Sequence, residues 1–119
     1  MRNTKSTNIM LRKLIADLRK LSNENKVKIW DAVAFNLSKP ARNRRQVNLT
    51  HLESYVNKGE TVVVPGKILG TGELSKNITV AGWRFSDTAF EKVNKVGKAI
   101  SIEQLMKSNP KGSKVRIIG

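Results

Sequence analysis

Lys39, Arg42, Arg44 and Arg45 fall in one stretch, KPARNRR, with Asn43 between them and no carboxylate inside it. Arginine supplies three of the four charges. Its planar fork of donors matches phosphate oxygens, whereas lysine is a point charge that chiefly serves solubility. A run of like charges is ordinarily a solvated surface loop. Three features favour a phosphate partner instead: the missing acids, the flanking helices that fix where the stretch emerges, and the preference for arginine. Ordering a residue costs about 1–2 kcal/mol, and like charges repel, so order over residues 39–45 is expected to come from a groove of folded nucleic acid. Asn48 and His51 follow directly. His51, without a nearby acid or nucleophile, reads as a partly exposed polar residue that hydrogen-bonds RNA.

The stretch VPGKILGTG, with Gly66, Gly70 and Gly72 around Lys67, suggests a phosphate-cradling loop, but the order is wrong. A Walker loop ends in Gly-Lys-Ser/Thr and opens a helix; here Gly-Lys comes first and another strand pattern follows. A turn at Pro65 and Gly66, then a glycine-rich hairpin or bulge, is the better reading, leaving Lys67 as a phosphate contact at the turn tip. Asp17, Glu24, Asp31, Glu53, Glu60, Glu73, Asp87, Glu91 and Glu103 are scattered rather than paired. Asp87 and Glu91 fit the first turn of a helix, where the dipole favours acids. With no cysteine and one histidine, a disulfide, a thiolate nucleophile and the usual zinc ligand sets are out of reach. No active site, metal site or cofactor is expected.

The chain of 119 residues carries Lys+Arg 23 against Asp+Glu 9, a net charge of +14. Such a chain attracts polyanions. A membrane surface would call for one helix with a basic and a bulky apolar face, but the basic residues are spread along the chain. No long apolar run marks a signal peptide or membrane span, so a soluble, intracellular protein without a membrane partner or small-molecule substrate is expected.

The elements that hold these residues follow from apolar spacing. From Leu11, the residues Leu11, Leu14, Ile15, Leu18 and Leu21 form a helical stripe, with Arg12, Lys13, Arg19 and Lys20 opposite. Arg12 and Arg19 are therefore candidate RNA contacts on a basic outer face. After a polar SNEN turn, Ile29, Trp30, Val33, Ala34 and Leu37 make a second helix, ended by Pro40. Trp30 reads as core; Phe35 lies off the stripe and Trp83 fits either role. Asn48 caps a short third helix with Leu49, Leu52 and Val56 on one side and Gly59 at its end.

From Thr61, β-branched runs indicate short strands. Ser86 caps a helix carrying Ala89, Phe90, Val93 and Val96 that ends near Gly97. Residues 99–100 form a strand, Ser101 and Gln104 a capping box with Leu105 and Met106 facing inward, and NPKG turns into the strand KVRIIG. The expected fold class is α/β: N-terminal amphipathic helices packed on an irregular mixed strand-strand-helix-strand-helix-strand part. Residues 1–58 are mainly helical with a basic loop at 39–47, and residues 59–119 are mixed. Each half would be marginal alone, so one domain, 1–119, with a shared core is expected.

Four segments, KPARNRRQVNL, VVVPGKILGTGEL, ITVAGWRFSDTAF and NPKGSKVRIIG, resemble in order and spacing the ribosomal protein L-eighteen-e family of the archaeal and eukaryotic large subunit. With IWDAVAFNLSKP, the resemblance reaches nearly all of residues 8–119, and VVVPGKILG is its most specific segment. It implies the fold shared with large-subunit protein fifteen and a structural role in the cytoplasmic ribosome. It also implies binding to large-subunit ribosomal RNA beside neighbouring ribosomal proteins. Lys39, Arg42, Arg44, Arg45 and Asn48 match the family's basic loop, and Gly66 and Lys67 its turn. The end at Gly119 is similar to archaeal forms. Structured RNA is read by shape through phosphate and 2′-hydroxyl contacts, which answers the missing counter-charge.

Two other classes compete. A DNA-binding helix-turn-helix is weakened because the second helix commits its bulky stripe to packing, and Lys28, Asp31, Phe35 and Lys39 on its outer face do not form a base-reading cluster. A nucleotide-dependent enzyme rests on the glycine-rich segment alone.

Overall fold

The computed structural model describes residues 4–39 and 45–118. Helix α1 spans Thr4–Asn25, starting well before the apolar stripe and continuing through the SNEN residues expected to form a turn. The chain reverses at Lys26, which takes a left-handed φ of 54°, while the Ser22 hydroxyl donates to the Val27 carbonyl. Helix α2, Ile29–Leu37, buries Trp30, Val33, Ala34 and Leu37. It stops at the Ser38 cap, and Pro40 lies outside the described residues.

Strand β1, Arg45–Asn48, replaces the second half of the expected basic loop. Its buried Val47 and its backbone pairing make a ladder strand more favourable than a free loop. Helix α3, Leu49–Tyr55, is capped by Asn48, whose side-chain oxygen accepts from the His51 amide at 2.8 Å. Gly59, with φ 85°, sits in the turn beyond it. Then come β2 (Thr61–Leu69), β3 (Thr79–Phe85), α4 (Asp87–Val96), β4 (Lys98–Ser101), α5 (Ile102–Ser108) and β5 (Val115–Ile117). The Ser86 cap and the Ser101–Gln104 capping box form as expected.

The five strands form one sheet in the order β1-β2-β3-β4, with β5 also on β2. Every pairing is parallel. Strand β3 runs along β2 from Thr61 to Ile68. The other edge of β2 is shared end to end: β5 pairs with its first residues and β1 with its last.

Parallel pairing corrects the expected turn at Pro65 and Gly66, because β2 runs straight through them. The register with β3 shifts between Val64 and Lys67. Proline has no N–H to give a ladder and is tolerated at such a bulge. The expected hairpin is also absent. Residues 70–78 instead run back along the sheet, with Leu74 and Ile78 buried on the way.

The glycines of that segment serve close packing. A Cβ on Gly70 would lie 2.6 Å from Cβ of Thr88 in the first turn of α4, and Gly72, at φ 93°, abuts Thr50 of α3. The ammonium of Lys92 ties the segment down, donating to the carbonyls of Gly70 and Gly72 at 3.1 and 2.8 Å and to Glu73 at 3.0 Å.

Residues 62–66 of β2 are buried without interruption, as a parallel strand covered on both faces requires. Val62, Val64 and Ile68 pack with α3 and α4 through Leu49, Leu52, Ala89 and Val93. Val63 packs on the opposite face with Leu11, Leu14 and Leu18 of α1, Trp30 of α2 and Ile102 and Leu105 of α5. Phe90, expected inside, is 49% exposed, because Ala89 and Val93 take the buried side of α4.

Candidate nucleic-acid interface

Strand register sets the site. Gln46 of β1 pairs with Lys67 of β2, and Lys67 pairs with Arg84 of β3. Adjacent strands lie about 4.8 Å apart, and paired residues project to the same face. Gln46, Lys67 and Arg84 are all exposed. They form a row across three strands, at the carboxyl-terminal part of β2 and β3, and β1 enters that row directly from the basic stretch.

The row is electrically unbalanced. No ion pair among the described residues involves Arg12, Arg19, Lys67 or Arg84. Two unit charges about 5 Å apart in water repel by roughly 0.8 kcal/mol, so pairing Lys67 with Arg84 gains the free chain nothing. The Arg84 guanidinium lies 5.2 Å from the centre of the Trp83 ring, within cation–π range. That stacking holds its fork of donors at the surface.

Glu60, Glu53 and Asp17 are engaged within the protein. Arg116 donates to both Glu60 oxygens at 3.2 and 3.0 Å and to the Tyr55 carbonyl at 2.7 Å. The Asn57 amide donates to Glu60 at 2.6 Å and, with Arg116, holds the Glu60 carboxyl below the usual range against some opposing desolvation. Glu53 is lowered likewise, first by the Ser75 amide and then by the Ser75 hydroxyl, with desolvation opposing. Lys13 pairs with Asp17 along α1. Among the described residues no group of three His, Cys, Asp or Glu side chains is placed to hold a metal ion, and no helix is long and apolar enough to cross a membrane.

Residues 10–101 match the model of a ribosomal-protein family described by its 50S members, L15 and L18e, and a 60S member. The chain belongs to that ribosomal-protein family. It is similar to "Large ribosomal subunit protein eL18" of Haloarcula marismortui, 48% identical over 112 residues covering 94% of this chain and 97% of that one. The protein of the same name from Methanoregula boonei is 45% identical over 98% of each chain. That from Methanococcus maripaludis is 43% identical over 99% of each. The resemblance read from the four sequence segments is thereby established, and with it the mixed α/β fold.

Against this ribosomal-protein frame the expected contacts separate. Arg42, Asn43 and Arg44 lie outside the described residues. Arg45 opens β1 opposite Gly66. Lys39 follows α2, its ammonium 5.5 Å from the centre of the exposed Phe35 ring. Lys67 stands in a sheet row, not at a turn tip. Asn48 has committed its side-chain oxygen to the α3 cap, so only its NH2 is open to a partner. His51 is exposed and packs on Tyr55, ring centres 4.6 Å apart. Arg12 and Arg19 lie on the outer face of α1, on another element from the row. Trp83 is partly buried against the α1–α2 side of the core, and Arg84 joins the row without being among the contacts expected from sequence. Only strand register links Arg84 to Lys67, and register is not written in local sequence.

Proposed function

We propose that this protein is a structural constituent of the large ribosomal subunit, working in the ribosome, that binds and clamps folded ribosomal RNA through phosphate and sugar contacts. Its role is structural, not enzymatic. The observation that carries the reading is the register pairing of Lys67 with Arg84, two exposed cations next to a strand that begins at the end of KPARNRR. A ribose-phosphate chain supplies the negative charge that the polypeptide withholds there. The near full-length similarity to proteins named as large-subunit components supports the same assignment.

On this reading Lys39, Arg42, Arg44 and Arg45 hold phosphates. Lys67 extends the contact over the sheet, Asn43, Asn48 and His51 add hydrogen bonds, and Arg12 and Arg19 offer a second positive face. Neighbouring large-subunit proteins are further partners. The test is the salt dependence of binding to folded large-subunit RNA. Neutralising Lys39, Arg42, Arg44 and Arg45 together should flatten the slope of log affinity against log salt by roughly three units, at about 0.7–0.9 per contact. An unchanged slope rejects the site. Equal affinity for duplex DNA at matched salt rejects the RNA assignment.

A further inference from the structure

Strand β3 leads into α4 and β4 into α5, and the two helices cover opposite faces of the sheet. Ala89 and Val93 pack in one core cluster, Ile102 and Leu105 in the other. Neighbouring parallel strands whose helices depart to opposite faces leave a crevice at their carboxyl ends, where open α/β sheets bind ligands. A cavity of about 520 Å³ lies there, lined by Trp83, Arg84, Phe85, Asp87 and Phe90 among others. A larger one, about 660 Å³, beside Glu60 and Arg116, has its arginine already engaged by Glu60 and Tyr55.

We infer that the crevice takes one unstacked base of the ribosomal RNA, packed against Phe90 and Trp83, with the attached phosphate on Arg84. This rests on the RNA-binding reading above and adds a base pocket to a surface otherwise suited to phosphates. Phe90 is 49% exposed, yet its ring is held edge-on to Phe85 at 6.1 Å between centres. A fixed, half-open aromatic ring in a concavity is a stacking platform for any base. Asp87 at the rim repels a phosphate from the interior and accepts hydrogen bonds from a base N–H, as carboxylates do from the cytosine amino group. Base in and phosphate out therefore matches the charge pattern. An apolar side chain of a neighbouring protein would fill the same walls but leave Arg84 and Lys67 without counter-charge.

The test places a benzophenone-bearing phenylalanine at Phe90 in the full chain, isolates large subunits that contain it, and irradiates them. A crosslink to a ribosomal RNA nucleotide is expected. A crosslink to a protein, or none in subunits that contain the variant, overturns the inference. Absence of the unmodified protein from large subunits would instead defeat the broader reading. Because the added ring is bulky, Phe90→Ala and Arg84→Ala are also titrated with folded large-subunit RNA. Phe90→Ala should bind roughly tenfold more weakly with an unchanged salt slope, the mark of stacking. Arg84→Ala should flatten the slope by about 0.7–0.9. Wild-type affinity in Phe90→Ala overturns the base pocket even when the basic-stretch variant shows its expected loss.

Discussion

Lys67 and Arg84 stand side by side on parallel strands, paired in register with no acid between them. The two positive charges repel weakly in the free chain, and an anion lying across both would offset that repulsion. Replacing both with glutamine should leave the stability of the free protein unchanged or slightly raised. RNA binding should weaken, with a salt slope flatter by roughly 1.5 units. Urea unfolding and salt-dependent titration check the two halves, and a loss of stability would mean that the pair is needed for folding.

Arg116 and Glu60 join β5 to the start of β2. Glu60 is held below its ordinary value by the Asn57 amide and then Arg116, so the folded state binds its proton less readily than the unfolded chain. Its stabilising contribution is present above the unfolded glutamate value. It is lost as pH falls through the lower folded value. Glu53, lowered by Ser75, acts in the same direction. Urea midpoints should therefore fall from neutral pH into the acid range below about 4.3. Glu60→Gln should show a smaller acid loss than wild type.

The Trp30 ring nitrogen donates to the Pro110 carbonyl at 2.6 Å, fastening α2 to the turn before β5. Trp30 itself is fully buried. Trp30→Ala should cost about 3–5 kcal/mol, a large share of a small protein's roughly 5–15 kcal/mol. Since the tryptophan lies in one cluster with Val63 and Ala81 of the sheet, helix and sheet should unfold together. Coincident fluorescence and circular-dichroism transitions check this expectation of one domain.

Asn48 separates a structural from a binding role. Asn48→Ala should destabilise the protein by about 1 kcal/mol through loss of the α3 cap. Asn48→Ser keeps a capping oxygen and should restore stability. If RNA affinity stays low in Asn48→Ser, the side-chain NH2 is itself a contact.

Local chemistry was legible in the residue order. The Ser86 and Asn48 caps and the Ser101–Gln104 box depend on groups three residues apart, and the Leu11–Leu14–Leu18 and Trp30–Leu37 stripes on helical spacing. The family resemblance was legible for the same reason, being carried by contiguous segments. The course of β2 through Pro65 and Gly66 was not, because a proline-glycine step suits a turn unless neighbouring strands claim its flanks. Nor was the alignment of Gln46, Lys67 and Arg84. Charge type is written along the chain, but which charges become neighbours is decided by strand register, and register follows from burying Val62, Val63 and Val64 on two faces at once.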